Sequence, residues 1–321
     1  MITRTSRVFL VLLIVVVSLT ESHADSARDL LAAGRIDDAI AQLKGRLSAA
    51  PSDAESSNLL CRAYYEIEDW DRAESSCRKA ASLDPANSRF HLWLGRVYGE
   101  KADRASFMAA ASLAGKTRSE FERAVQLNPQ DLEARSDLAE FYIDAPGIIG
   151  GSEQKARDQA HSIAIMNPAR EHWVYALIAE QKRDSATAEK EYHQYIDLSH
   201  GDAEAWLRLA LFLRHQKRLD EMEQAMVKLS QAPTVRPDVL VEASGNLYRA
   251  GRGYPLATTM VRRYLATGPV EAAPAFKAHY LLGLLLEKQG DKAGAAYEYQ
   301  AALTLARNFR VAQQSLSRLA H

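Results

Sequence analysis

The chain has only two cysteines in 321 residues, no surplus of either charge and no persuasive run of alternating β-branched residues. Each absence excludes something. Forty Lys and Arg against 41 Asp and Glu exclude a general nucleic-acid binder and an acidic disordered tail. Without a period-two pattern, strands are not expected. The nine histidines are scattered and none stands in a His-Glu-x-x-His or other ligand spacing, so no metal or cofactor is expected. There is no Gly-x-Ser-x-Gly nucleophile elbow. Tyr192, His193 and Tyr195 cluster, but at helical spacing they read as packing or surface residues, and Glu189 and Glu191 read as carboxylates on an exposed face. An enzyme with an unrecognised site is the minor alternative. What the chain does have is Ala, Leu, Glu, Arg and Gln in abundance, all good helix formers.

The N-terminus differs from the rest. Arg4 and Arg7 precede an uninterrupted apolar run from Val8 to Val17, and Ser22-His23-Ala24 puts small residues at the two positions a signal peptidase inspects. This predicts a signal peptide over 1–24, cut after Ala24, and an exported protein, periplasmic or secreted. The rival is an uncleaved anchor, which needs about 20 apolar residues to span a bilayer. The mature chain is therefore expected to carry no membrane span.

From residue 25 onward the sequence repeats itself. Residues 54–87 place Leu60, Cys61, Tyr64, Ala73, Cys77, Ala80 and Pro85 at the seventh, eighth, eleventh, twentieth, twenty-fourth, twenty-seventh and thirty-second positions of a 34-residue unit. The twentieth positions along the chain are Ala39, Ala73, Thr117, Ala156, Ala188, Met222, Ala257 and Ala295, at intervals of 34, 44, 39, 32, 34, 35 and 38. Small residues at the eighth and twentieth positions let two helices approach closely, whereas large ones would push them apart. Leu83-Asp84-Pro85, Leu127-Asn128-Pro129 and Met166-Asn167-Pro168 each stop a second helix, because proline cannot continue one. No such unit can bury its apolar face alone, so the units stack as one array.

This pattern resembles the tetratricopeptide repeat family over essentially all of 25–321. The resemblance implies an all-α, right-handed solenoid of about eight helix-turn-helix units, at 25–53, 54–87, 88–131, 132–168, 169–202, 203–237, 238–271 and 276–308. Residues 309–321, with Val311, Leu316 and Leu319, read as a capping helix. The loop near Pro146 also resembles a group of exported bacterial members without an assigned activity. The implied function is a protein-interaction scaffold or adaptor of the bacterial cell envelope, with a protein or peptide partner and no nucleic acid. The alternative is an obligate subunit of an export, secretion or cell-wall machine, and a third class is an accessory factor that presents substrates to an enzyme.

In such an array the first helix of each unit lines the concave face, which nominates Asn58, Arg62, Tyr65, Arg89, Arg96, Glu140, Arg214 and Asn246 as partner-binding residues. Arg62 and Arg96, one repeat apart at the same position with Arg89 close by, read as a basic patch for a carboxylate or an acidic segment. The competing reading has these arginines solvating the groove or pairing with Glu55. Two insertions depart from the period. Around 101–116, Ala105, Met108, Ala109, Ala111 and Leu113 predict a helix extension packed locally. At 145–152, Gly147, Gly150 and Gly151 predict a structural turn with Ile148 and Ile149 tucked against neighbours and Ser152 as a cap. The functional reading of the first is an element that contacts a partner. Cys61 and Cys77 suggest a disulfide by their even count. Their register favours two small core residues instead, because the eighth position of an antiparallel pair faces about the twenty-first.

Overall fold

The computed structural model describes residues 27–319. The expected signal segment, 1–24, lies outside the described residues. Among them every regular element is helical. After a short helical stretch over residues 27–32 come α1 (Ile36–Ala49), α2 (Ala54–Glu66), α3 (Trp70–Leu83), α4 (Ser88–Asp103), α5 (Phe107–Leu127), α6 (Leu132–Asp144) and a 3-10 turn (Gly147–Ile149). Then follow α7 (Glu153–Met166), α8 (Pro168–Gln181), α9 (Ser185–Leu198), α10 (Ala203–His215), α11 (Leu219–Gln231), α12 (Val239–Ala250) and α13 (Tyr254–Thr267). Last are α14 (Ala275–Lys288), α15 (Lys292–Leu305) and α16 (Arg310–Leu319).

Consecutive helices pair, and the pairs stack into an α-solenoid in which the first helices of successive repeats, such as α2 and α4 or α10 and α12, touch one another. All eight twentieth-position residues are buried, from Ala39 at 0% to Thr117 at 4% exposed, because each sits where the two helices of a repeat cross. Glycine at the eighth position marks the tightest crossings. A Cβ on Gly95 would lie 2.5 Å from the Phe121 ring, and one on Gly283 2.5 Å from the ring of Tyr299.

Within most repeats the turn between the helices is built alike. Gly34, Glu68, Arg183, Lys217, Gly251 and Gly290 adopt left-handed backbone angles. The amide of the following residue reaches back to a carbonyl five residues earlier, as Asp69 does to Tyr64 and Arg218 to Leu213, which satisfies carbonyls the helix leaves open. Asp69, Asp184 and Asp291 then cap the second helix by accepting from the third amide along. The repeat at 88–131 lacks this turn. In that at 132–168 it comes only after the 3-10 turn, with Gly150 left-handed and the Gly151 amide reaching back to the Pro146 carbonyl at 3.2 Å. Both insertions stand at the turn between the helices of a repeat, so they project from the same end of adjacent repeats. Here two expectations are corrected. Met108 is 80% and Ile148 96% exposed, so neither is packed locally, and Phe107 beside Met108 is 86% exposed. The loop is pinned instead through backbone: Arg118 donates to the Ile149 carbonyl at 3.0 Å and the Ser152 amide to that of Tyr142 at 2.8 Å.

Cys61 and Cys77 are joined in a disulfide with Cα atoms 5.1 Å apart, which corrects the reading of two free core residues. Counting residues outward from the turn misplaces the partner. Each Cα–Cβ bond tilts toward its own helix N-terminus, which in an antiparallel pair carries Cys61 away from the turn and Cys77 toward it. The meeting residue is therefore later in α3 than Cα counting suggests.

The array closes on itself. Phe276, Ala302, Ala306 and Ala312 belong to the same apolar core as Leu31, Ile36, Leu43 and Leu59. The turn at Gly34 lies against the Ala275–Phe276 backbone, where an added Cβ would come within 2.7 Å of the Ala275 nitrogen. Ion pairs follow the same seam: Arg62 with Glu271, Lys277 with Glu66 at 2.8 Å, and Arg307 with Asp37 at 3.1 Å. The terminal helix α16 packs on α15 through buried Ala312 and Ser315 with Leu316 and Leu319 partly covered, while Val311, expected inward, is 41% exposed.

Candidate functional site

The concave face is a lattice of arginines and carboxylates contributed by successive first helices. Arg96 of α4 donates through Nε to Asp137 of α6 at 2.6 Å and through Nη2 to Glu133 at 3.1 Å. Arg170 of α8 and Arg208 of α10 approach Glu204, at 3.6 and 3.3 Å, and Arg236 joins them at 3.2 Å. A long arginine on one repeat spans to the carboxylate of the next, so this stretch of the face neutralises itself. Glu189 and Glu191, expected on an exposed face, are half-buried on α9, where Glu189 accepts from Arg218 and Glu191 bonds His172 at 2.7 Å.

The basic patch read from sequence is therefore not free. Arg62 is held by Glu271, which solenoid closure brings from the far end of the chain, and Arg96 by Asp137 and Glu133. Both guanidinium groups lie near the Trp93 ring, at 5.1 and 5.0 Å from its centroid. Glu55, the other partner considered for these arginines, pairs with Arg28. Arg89 is exposed. Asn58 is fully buried and its amide makes no hydrogen bond to another group. Arg214 and Asn246 do come together, Nη1 donating to Oδ1 at 2.6 Å, and Asn246 also donates to the Glu242 carbonyl. Burial, then Arg214, hold the Arg249 guanidinium below its ordinary pKa while Glu242 pulls it up. Neither Arg214 nor Arg249 has a carboxylate ion pair among the described residues, so this end of the groove is cationic.

Tyr65, Arg96 and Glu140 are brought together at a different place. They line a cavity of about 540 Å³ whose outer walls are the two insertions: Phe107, Ala110 and Ala111 at the start of α5, and Ala145, Pro146 and Ile149 of the loop. Tyr65 is clamped edge-on between Trp70 and Trp93, and its hydroxyl donates to Glu100 at 3.2 Å. Asp103, Asp137, Glu140 and Asp144 also face the cavity. Asp137 is spent on Arg96, whereas Asp103, Glu140 and Asp144 make no hydrogen bond or ion pair through their carboxylates among the described residues. Sequence reasoning nominated Glu140 and missed Asp103, Phe107 and Asp144. The signal was the coincidence of two insertions in adjacent repeats, which puts their turns side by side.

Burial pushes the Glu140 carboxyl up to about 7, with Arg208 pulling it down and Asp137 and Asp144 pushing it further up. Burial, then Asp103 and Glu180, raise Asp144. The sign of the linkage follows. Between the unfolded value of 4.5 and about 7, folded Glu140 holds a proton that the unfolded chain has lost, so this group makes stability fall as pH rises through that window. Glu140→Gln removes the penalty. Urea unfolding is expected to show Glu140→Gln gaining on the parent at pH 8 relative to pH 4.5, and equal differences at both would contradict the assignment.

No group of three or more His, Cys, Asp or Glu among the described residues is placed to hold a metal ion, and no described helix is long and apolar enough to cross a membrane. Two family models, each described as a tetratricopeptide repeat, match residues 30–91 and residues 176–226 and 243–310. Among solved structures the chain is similar to yeast Tom70, at 14% identity and TM-score 0.52, covering 89% of this chain and 58% of that one. It is also similar to PilW, described as a widely conserved type IV pilus biogenesis factor, at 13% identity and TM-score 0.50, covering 66% and 93%. Likeness at such identities is likeness of fold. No curated protein matches the sequence.

Proposed function

The chain belongs to the tetratricopeptide repeat family, a class of protein–protein interaction scaffold, and from that premise we propose that it is exported and holds a partner protein in the bacterial cell envelope. The observation that carries the binding site is the cavity between the two insertions, where exposed Phe107 stands beside carboxylates that have no partner of their own. From Arg62 to Arg236 most of the concave face has its charges mutually satisfied, so apart from the Arg214 and Arg249 end it offers a partner less to gain. Two features support export. The segment 1–24 has the charge, apolar run and small residues of a cleavable signal, and the Cys61–Cys77 bridge suits an oxidising compartment. The seam between the ends favours a self-contained scaffold over an obligate subunit, because the array covers its own terminal repeats.

Two experiments test this. Protein from the native host should begin at Asp25, and an intact Met1 in the membrane fraction would overturn export. A photo-crosslinking side chain placed at position 107 in the full chain should join to one dominant envelope protein, whereas the same group at exposed position 297 on α15 should not. Equal crosslinking from both positions would remove the cavity as the binding site.

A further inference from the structure

Resting on the scaffold reading above, we propose that the cavity between the two insertions takes a short partner segment in which a lysine or arginine stands one or two residues from an apolar side chain. Charge sets the first half of that description. Asp103, Glu140 and Asp144 carry no ion pair, and the cations around the cavity are already engaged. Arg208 and Arg170, which act on Glu140, are held by Glu204. Arg96 is bound by Asp137 and Glu133, and Arg104 by Glu100 at 2.6 Å. An acidic segment would set its charge against Asp103 and Asp144, with Glu140 divided between its protonated and charged forms beside them, whereas a guanidinium or ammonium would find acceptors that need no internal bond to be broken.

Shape and hydrophobicity set the second half. Phe107 at the rim is 86% exposed, and Phe141 and Ile149 line the interior behind it, so apolar area that water now covers is waiting for a side chain. About 540 Å³ holds a few side chains rather than a folded domain, which points to a short segment. These walls come from the insertions at the intra-repeat turns of two adjacent repeats, so the ordinary concave groove of the array does not supply them. The end at Arg214, which bonds the neutral Asn246, and Arg249, neither ion-paired with a carboxylate among the described residues, is the rival site for an acidic segment and serves as the internal comparison.

The test uses the full chain and fluorescently labelled peptides of about ten residues, measured by anisotropy. One set carries Lys or Arg beside Leu or Phe, a second has Glu in place of the base, and a third keeps the base but lacks the apolar residue. The first set should bind at least tenfold tighter than either of the others, and more weakly as salt is raised. Asp103→Asn with Asp144→Asn should weaken it tenfold or more, and Phe107→Ala should do so independently. All three positions are solvent-exposed, so an unchanged circular dichroism spectrum and melting profile establish that the variants fold. Preference for the acidic set, binding unmoved by these variants, or no binding by any peptide would each overturn the inference. The scaffold reading is judged separately by crosslinking from position 107, so loss of one does not decide the other.

Discussion

Phe276→Ala is expected to destabilise the protein by about 3–5 kcal/mol, the range for removing a fully buried aromatic side chain, and to part the two ends of the solenoid. Phe276 is 0% exposed, stands edge-on to Phe309 with ring centroids 4.9 Å apart, and shares a core with Leu31 and Ile36 nearly the whole chain away. Truncation leaves a cavity at the seam, where neighbouring helices are held by the rest of their own repeats and so cannot collapse into it. Small-angle X-ray scattering should show a larger maximum dimension, and denaturant unfolding the lost stability. Glu271→Lys separates closure from core packing, because it sets a cation against Arg62 and removes no buried apolar group. It should enlarge the molecule with a smaller loss of stability. If both variants keep the parent's dimensions, the seam contributes nothing to the shape.

Reducing the Cys61–Cys77 bridge is expected to cost about 3 kcal/mol, from the entropy the unfolded chain regains when a loop of this length is released. The bridged residues are 16 apart in sequence, and the bond ties α2 to α3 within one repeat. Cys61 and Cys77 are both 0% exposed, so reduction leaves the thiols packed as small apolar groups and isolates the effect of the cross-link. Urea unfolding with and without a phosphine reductant measures it. A double variant, Cys61→Ala with Cys77→Ala, should be indifferent to reductant. A parent equally stable in both conditions would show that the bridge is not formed or adds nothing.

Much of the fold was legible because a repeat writes itself locally. A small residue at the crossing of two helices, a leucine or aromatic between repeats and a proline after the second helix all act within about 34 residues. Ala73, Tyr64 and Pro85 therefore announce their places without reference to the rest of the chain. Site residues were legible only as positions on a face. Glu140 and Tyr65 were nominated by register and do line the cavity, and so does Arg96, but the carboxylate partners of Arg62 and Arg96 were not legible. An arginine's pairing depends on what stands across from it. For Arg62 that is Glu271, more than two hundred residues on.

By itself, then, the sequence determined an all-helical stack of tetratricopeptide repeats, the buried small residues that set its crossings and the two places where its period breaks. Only the tertiary structure decided that the first and last repeats meet, that Arg62 and Arg96 are paired with carboxylates, that the cysteines face each other and that both insertions wall one acidic, apolar-rimmed cavity. The physical reason is accumulation. Each repeat turns slightly relative to the one before, and where the ends fall depends on the sum of those rotations rather than on any one window of sequence. Side-chain tilt and reach act across the gaps the sum creates, so the pairings that fix charge and site appear only once the whole array is assembled.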